Sequence, residues 1–280
     1  MGNILQIVWN IDPAIVHIGG FELRYYSIGW ALAIGVGLWF FTNFIRREGL
    51  PEKLADSIFI YGVVATIVGA RLGHCLFYDF EHYMLNPVEI LGFNGAGRFV
   101  GFAGLASHGA AIGLLIGLWL FSRKNKMPYI WSLDRIMVAV AIGGAIVRIG
   151  NLMNSEIYGV ETSLPWGFIF VRAGETLPKH PTQIYEALCY LATFGLLAWL
   201  YYRRDMARRH PGVMFGTGLI GIFLTRMLIE CIKNVQESFE ESMWLNMGQL
   251  LSIPFVILGV VIIVRSLRSA KHTQSHGGNR

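Results

Sequence analysis

The chain has 280 residues, 54% of them hydrophobic and only 15% charged, with a mean hydropathy of +0.50. Soluble domains carry roughly 25% charged residues, so a soluble globular fold is excluded. The formal net charge of +5 does not point to nucleic acid, because the basic residues sit in short clusters between apolar runs. A transmembrane barrel would show short alternating segments instead. The fold class expected is therefore all-α, a polytopic membrane helix bundle.

Seven runs have the length of roughly 17 to 25 residues that crosses a bilayer. In chain order they are Tyr25–Ile45, Ala55–Tyr78, Leu105–Phe121, Arg135–Met153, Gln183–Tyr202, Gly212–Cys231 and Gly248–Val264. No basic stretch precedes the first apolar run, so no cleaved signal peptide is expected. After the first span comes RREGLPEK, after the third SRKNK, after the fifth RRDMARRH and after the seventh RSLRSAK. Every basic cluster follows an odd-numbered span. The positive-inside rule then puts the N-terminus outside and the C-terminus in the cytoplasm. Residues 1–271 read as one transmembrane domain, and residues 272–280 as a polar, disordered cytoplasmic tail. The third span holds Gly109, Gly113 and Gly117 four apart, a ridge that permits close helix approach. Residues 79–104 and 154–182 form long outer loops, expected to be small structured caps. Cys75, Cys189 and Cys231 show neither metal-ligand nor paired spacing.

That orientation gives each polar residue within a span a depth. Tyr26, Arg71, His108, Arg148, Asn151, Gln183, Glu186, Arg226, Glu230 and Gln249 all fall in the outer half of the membrane. The cytoplasmic halves are almost purely apolar. One arginine alone could snorkel to the headgroups. Three arginines, a histidine and two glutamates at one level instead suggest charges that pair or line a cavity. Glu230 follows Arg226 by four and shares its helix face, as Asn151 follows Arg148 by three. Arginine offers a planar fork suited to phosphate, so an anionic phospholipid headgroup is the expected partner.

These residues also carry a resemblance. VRIGNLMNSEIYG, residues 147–159, resembles the signature of the bacterial phosphatidylglycerol–prolipoprotein diacylglyceryl transferase family, roughly G-R-x-G-N-F-x-N-x-E-x-x-G. The flanking segments LRYYS, GARLG, ASHGAAIG, HPTQIYEAL and MGQLLSIP agree in order. The chain departs from the family pattern at Val147, where Gly is usual, and at Ala110, where a second Gly is usual. It departs again at Lys233, which stands for the last arginine of R-F-x-x-E-F-x-R and is not ranked as essential.

The resemblance implies an enzyme of the bacterial cytoplasmic (inner) membrane, its site toward the outside. Residues 1–271 would then be one catalytic domain. It implies transfer of the diacylglyceryl group of phosphatidylglycerol to the thiol of a lipobox cysteine in a prolipoprotein signal peptide, with glycerol phosphate released and no metal or organic cofactor. The chemistry needs a stabilised phosphate leaving group and help in ionising a thiol. The catalytic residues expected are His108, Arg148, Arg226 and Tyr26, with His108 as general base and Tyr26 or Glu156 as competing candidates. The headgroup-binding set expected is Arg71, Arg148, Asn151, Asn154, Glu156, Gly159, Arg226 and Glu230. A transporter would need polar groups along a path to the cytoplasmic face, which the inner halves scarcely supply. An intramembrane hydrolase built on Ser107 and His108 is disfavoured, because consecutive helix residues point in different directions.

Overall fold

A computed structural model describes residues 6–19, 21–99, 101, 104–234 and 244–277. Among the described residues, six helices are long and apolar enough to cross a membrane: α1 (Tyr25–Arg47), α2 (Lys53–Phe77), α5 (Tyr129–Met153), α6 (Thr182–Tyr202), α8 (Val213–Ile229, continued by a 3-10 turn, Glu230–Ile232) and α9 (Met247–Gly277). Between them lie α3 (Phe80–Leu85), α4 (Ser107–Lys124) and α7 (Met206–Arg209). Much of the long helices' apolar surface faces outward: Leu32, Trp39 and Ile257 are each more than half exposed. Exposure on that scale is untenable in water and is what a hydrocarbon surround requires. Residues 278–280 of the expected tail lie outside the described residues, and α9 runs through residues 272–277.

Two compact units divide the chain. Thr42–Ser132 forms one, and Met1–Phe41 with Leu133–Arg280 the other. In the first, the glycine ridge on α4 meets a matching ridge on α2. A Cβ on Gly69 would sit 2.7 Å from Gly113 Cα, and one on Gly73 2.7 Å from Gly109 Cα. The backbones touch directly, as small-residue membrane seams do. Arg71 is buried on the neighbouring stretch of α2. Its guanidinium donates to the carbonyls of Glu89 (2.5 Å), Ile90 (3.0 Å) and Gly104 (3.3 Å) and lies over the Tyr83 ring, closing the loop after α2 onto the helix.

In the second unit, small residues again set the helix seams. Gly144 on α5 faces the Tyr190 ring of α6, Gly221 on α8 faces Thr193 of α6, and Gly216 on α8 faces Gly259 of α9. The end of α5 opposite Arg148 is not purely apolar. Asp134 and Arg135, near the start of α5, are buried. Asp134 accepts the backbone N–H groups of Gly212 (2.7 Å) and Phe215 (2.8 Å), and so caps the first turn of α8 from another helix. The Arg135 guanidinium stands 5.9 Å from the Tyr201 ring centroid. Both charges are occupied within the bundle.

Among the described residues, four short strands modify the all-α expectation. β1 (Ile7–Trp9) pairs in parallel with β4 (Phe168–Phe170), and β2 (Ala14–Ile18) pairs antiparallel with β3 (Phe21–Arg24). Strands of three to five residues are too short for alternation to register in the sequence. The β1–β4 pair caps the end of α5: Trp9 donates its indole N–H to the Leu152 carbonyl at 2.9 Å, and Leu152, Phe168 and Phe170 form a buried cluster.

Candidate functional site

The polar stretch that ends α5 is shaped by a strained turn. The helix stops at Met153, and Ser155 and Ile157 both take positive φ, +54° and +61°. For a β-branched residue this is an outlier that costs on the order of 1–3 kcal/mol unless its surroundings impose it. The first turn of α6 imposes it here. Thr182 Oγ1 donates to the Ile157 carbonyl at 2.8 Å, and Gln183 Nε2 to the Glu156 carbonyl at 2.6 Å. The turn folds Glu156 back over the helix end, where its Oε1 accepts from Asn151 Nδ2 (2.7 Å) and Asn154 Nδ2 (3.2 Å). Asn151 in turn accepts from Arg148 Nη1 at 3.1 Å.

Gly159 closes the same turn. Its N–H donates to the His180 carbonyl at 2.8 Å, and it bridges Lys233 of the segment after α8. A Cβ there would lie 2.8 Å from both His180 Cβ and Thr182 Cγ2. Only glycine lets these three segments approach so closely. Tyr26 reaches the motif from α1, its ring packed on Gly150, where a Cβ would come within 2.8 Å.

The two arginines are tied into one ionic chain. Arg148 Nε meets Glu186 Oε2 at 2.6 Å, and Glu186 Oε1 accepts from Lys233 Nζ at 2.9 Å. Lys233 Nζ is also 3.6 Å from Glu230 Oε2, to which Arg226 Nε stands at 3.9 Å. The carboxylate of Glu230 lodges against Gly248 of α9, where a Cβ would fall 2.7 Å from its oxygens. Tyr190 accepts a side-chain hydrogen bond from Arg148. Burial grades the chain: the side chains of Glu186 and Lys233 are 0% and 3% exposed, those of Arg148 and Arg226 16% and 36%. The carboxylates and ammonium lie beneath, and the guanidinium groups are the reachable part. Such an arrangement can take up an anion carrying several oxygens.

The structure brings Arg148, Asn151, Asn154, Glu156, Gly159, Arg226, Glu230 and Tyr26 together within one compact unit. Arg71 and His108 belong to the other. The donors of Arg71 go to loop carbonyls, whereas His108 is exposed on the first turn of α4. Gln183, Glu186 and Lys233 also belong to this arrangement, although the sequence assigns none of them a role. Of the three, Glu186 alone is signalled by the charge count, since two of the arginines need carboxylates to hold them.

Beside the motif, outside the membrane-spanning helices, Tyr158 donates to Glu175 at 2.8 Å, and Lys179 pairs with Glu175 and Glu161. Burial, with Glu175 alongside, pushes the Tyr158 phenol up to about 12. Burial lowers the pKa of Lys179, but the two carboxylates outweigh it and the net shift is upward. Burial alone pulls His180 down. Among the described residues, no group of three or more His, Cys, Asp or Glu side chains could hold a metal ion.

Comparison with known proteins bears on this geometry. A family profile described as prolipoprotein diacylglyceryl transferase matches residues 13–265. A protein of Porphyromonas gingivalis named phosphatidylglycerol–prolipoprotein diacylglyceryl transferase is 47% identical, over 94% of this chain and 95% of the relative. Proteins of the same name from Bacteroides fragilis and Chloroherpeton thalassium are 42% and 37% identical, over 93% and 97% of this chain and 95% and 98% of the relatives.

Proposed function

The chain belongs to the prolipoprotein diacylglyceryl transferase family, and on that premise we propose that it moves the diacylglyceryl group of phosphatidylglycerol onto the thiol of a lipobox cysteine in a prolipoprotein signal peptide. The sulfur–carbon bond forms at the glyceryl carbon as the carbon–oxygen bond to phosphate breaks. Glycerol phosphate leaves, and the thiol proton passes to a base on the enzyme. The nucleophile comes from the substrate, so none of Cys75, Cys189 and Cys231 is needed.

One observation carries the reading. Guanidinium groups from α5 and α8 are joined through Glu186, Lys233 and Glu230 into a single network in which both arginines are partly buried and remain more accessible than the residues that link them. In that place Arg148 and Arg226 hold the phosphate and stabilise the charge that grows on it as the ester bond breaks, an electrostatic contribution of the oxyanion-hole kind. Asn151, Asn154 and Glu156 fix the orientation of Arg148, and Glu230 that of Arg226. Gly159 sets the backbone approach, and Tyr26 walls the motif beside Gly150. His108 is assigned the thiol proton. Arg71, expected to bind the headgroup, has its donors on the carbonyls of Glu89, Ile90 and Gly104, which supports a role in fixing the loop after α2.

The same reading sets the topology. The six long helices together with α4, which ends in Arg123 and Lys124, make seven spans. The N-terminus is outside and the C-terminus in the cytoplasm, as the basic clusters require. The protein then lies in the inner membrane as a multi-pass enzyme, its arginines in the half facing away from the cytoplasm.

The test is direct. Purified protein is incubated with phosphatidylglycerol vesicles and a lipobox peptide, and the thioether adduct and released glycerol phosphate are measured. Both products are expected from the wild type and neither from a folded Arg148→Ala variant. A wild type that yields no adduct removes the assignment, and full activity in Arg148→Ala removes Arg148 from the site.

A further inference from the structure

Lys233 is buried at the centre of the ionic chain. Its side chain is 3% exposed, and its ammonium stands between two carboxylates, 2.9 Å from Glu186 and 3.6 Å from Glu230. It arrives there on a fixed backbone: Gly159 bridges Lys233, Val160 N–H donates to the Ile232 carbonyl at 2.9 Å, and Asn234 N–H to the Tyr158 carbonyl at 3.4 Å. The strained turn that carries the motif therefore also anchors this lysine.

The order of charges is guanidinium, carboxylate, ammonium, carboxylate, guanidinium. Each carboxylate is shared between Lys233 and one arginine. Glu156, the third acid nearby, is held by the amides of Asn151 and Asn154. Without the ammonium, Glu186 would belong wholly to Arg148 and Glu230 wholly to Arg226. A buried carboxylate that loses one partner is left under-compensated, which favours a closer approach to the other. The Arg226–Glu230 pair has room to tighten, since its atoms stand 3.9 Å apart and Arg226 Nε makes no hydrogen bond. A guanidinium drawn down onto Glu230 is withdrawn from an anion arriving at the exposed face.

We propose that Lys233 is a positioning residue that, by sharing Glu186 and Glu230, keeps Arg148 and Arg226 available to the phosphate of the lipid substrate. It touches carboxylates and not the reacting atoms. The point charge of lysine suffices, because it faces two separate carboxylates rather than one planar partner. The inference rests on the proposed reaction, and its effect is read in lipid affinity.

The experiment compares wild type, Lys233→Met, Lys233→Gln and Lys233→Arg, each as full-length purified protein. Kinetics are taken with varied phosphatidylglycerol, and equilibrium binding of phosphatidylglycerol is measured separately. Lys233→Met and Lys233→Gln are expected to raise the binding constant and KM for the lipid about tenfold or more, and to lower kcat as well, because the same arginines stabilise the charge that grows on the phosphate. Lys233→Arg, which keeps the charge, is expected to stay near wild type. Wild-type lipid binding in Lys233→Met overturns the proposal. So does a loss confined to kcat, or a Lys233→Arg variant as impaired as Lys233→Met. If Lys233→Met does not accumulate, Lys233→Gln decides alone: affinity about tenfold down supports charge sharing, and affinity near wild type overturns it. If the wild type binds lipid but transfers nothing, the proposed function fails while the binding series still judges Lys233.

Discussion

Asn151 donates to Glu156 across the point where α5 stops, at 2.7 Å. The same side chain accepts from Arg148, so one amide joins a cation to a carboxylate. The amide supplies a donor and an acceptor from one neutral group. Asn151→Ala is expected to leave Glu156 short of a donor and Arg148 short of an acceptor. Loss of a hydrogen bond to a charged group costs about 1.5–3 kcal/mol, so transfer should fall at least about tenfold. Asn151→Asp, which sets a carboxylate against Glu156, should fall further. Transfer kinetics of the two variants, each checked for folding, decide this; equal activity in both would remove the bridge from the mechanism.

His108 is exposed on α4 and free to meet a substrate group. If it accepts the thiol proton, His108→Ala should lower turnover by about 10²-fold or more. Wild-type turnover at every pH would return the base assignment to Tyr26 or Glu156.

Gly159 is where three segments cross. Gly159→Ala forces a methyl group within 2.8 Å of His180 Cβ and Thr182 Cγ2. Overpacking of this kind costs about 1–3 kcal/mol, to be seen as a lower melting temperature in detergent. Activity should decline in step with the folded fraction, because the glycine contributes by being absent as a side chain.

Asp134 caps α8 far from the arginines along α5. Asp134→Ala strands the N–H groups of Gly212 and Phe215 in a buried setting and is expected to destabilise the protein by about 2–4 kcal/mol. The folded fraction should still transfer lipid at a rate within about threefold of wild type. A variant that melts normally would show that the cap is dispensable.

Tyr158 gives a pH test outside the membrane. Its pKa is raised from 10.0 to about 12 in the fold, so the neutral phenol is the favoured folded form. The contribution is complete below the unfolded value and disappears as pH rises from about 10 to about 12. Tyr158→Phe should therefore melt below wild type at neutral pH, and the gap should shrink through that window. A gap independent of pH would assign the stability to packing rather than to the bond with Glu175.

Much of this architecture can be read in the sequence, because lipid imposes length and apolarity on a span. Residues 183–202 are expected to span and α6 covers Thr182–Tyr202; residues 248–264 are expected and α9 begins at Met247. The start of α5 is misjudged by six residues, because Trp131, Ser132 and Asp134 look like loop until Asp134 is seen capping α8. The arginines are legible as costly charges in apolar runs. Lys233 is not, since its meaning lies in Glu186, 47 residues away, and no spacing rule joins them. The left-handed Ile157 is equally silent, because nothing local prefers that conformation and α6 enforces it.

The glycine seam between α2 and α4 has a consequence for traffic. Where Gly69 meets Gly113 and Gly73 meets Gly109, main chain rests on main chain, which leaves no slot wide enough for a fatty tail. A two-tailed substrate cannot slip sideways between this pair, and whatever doorway it uses must open along a different helix boundary.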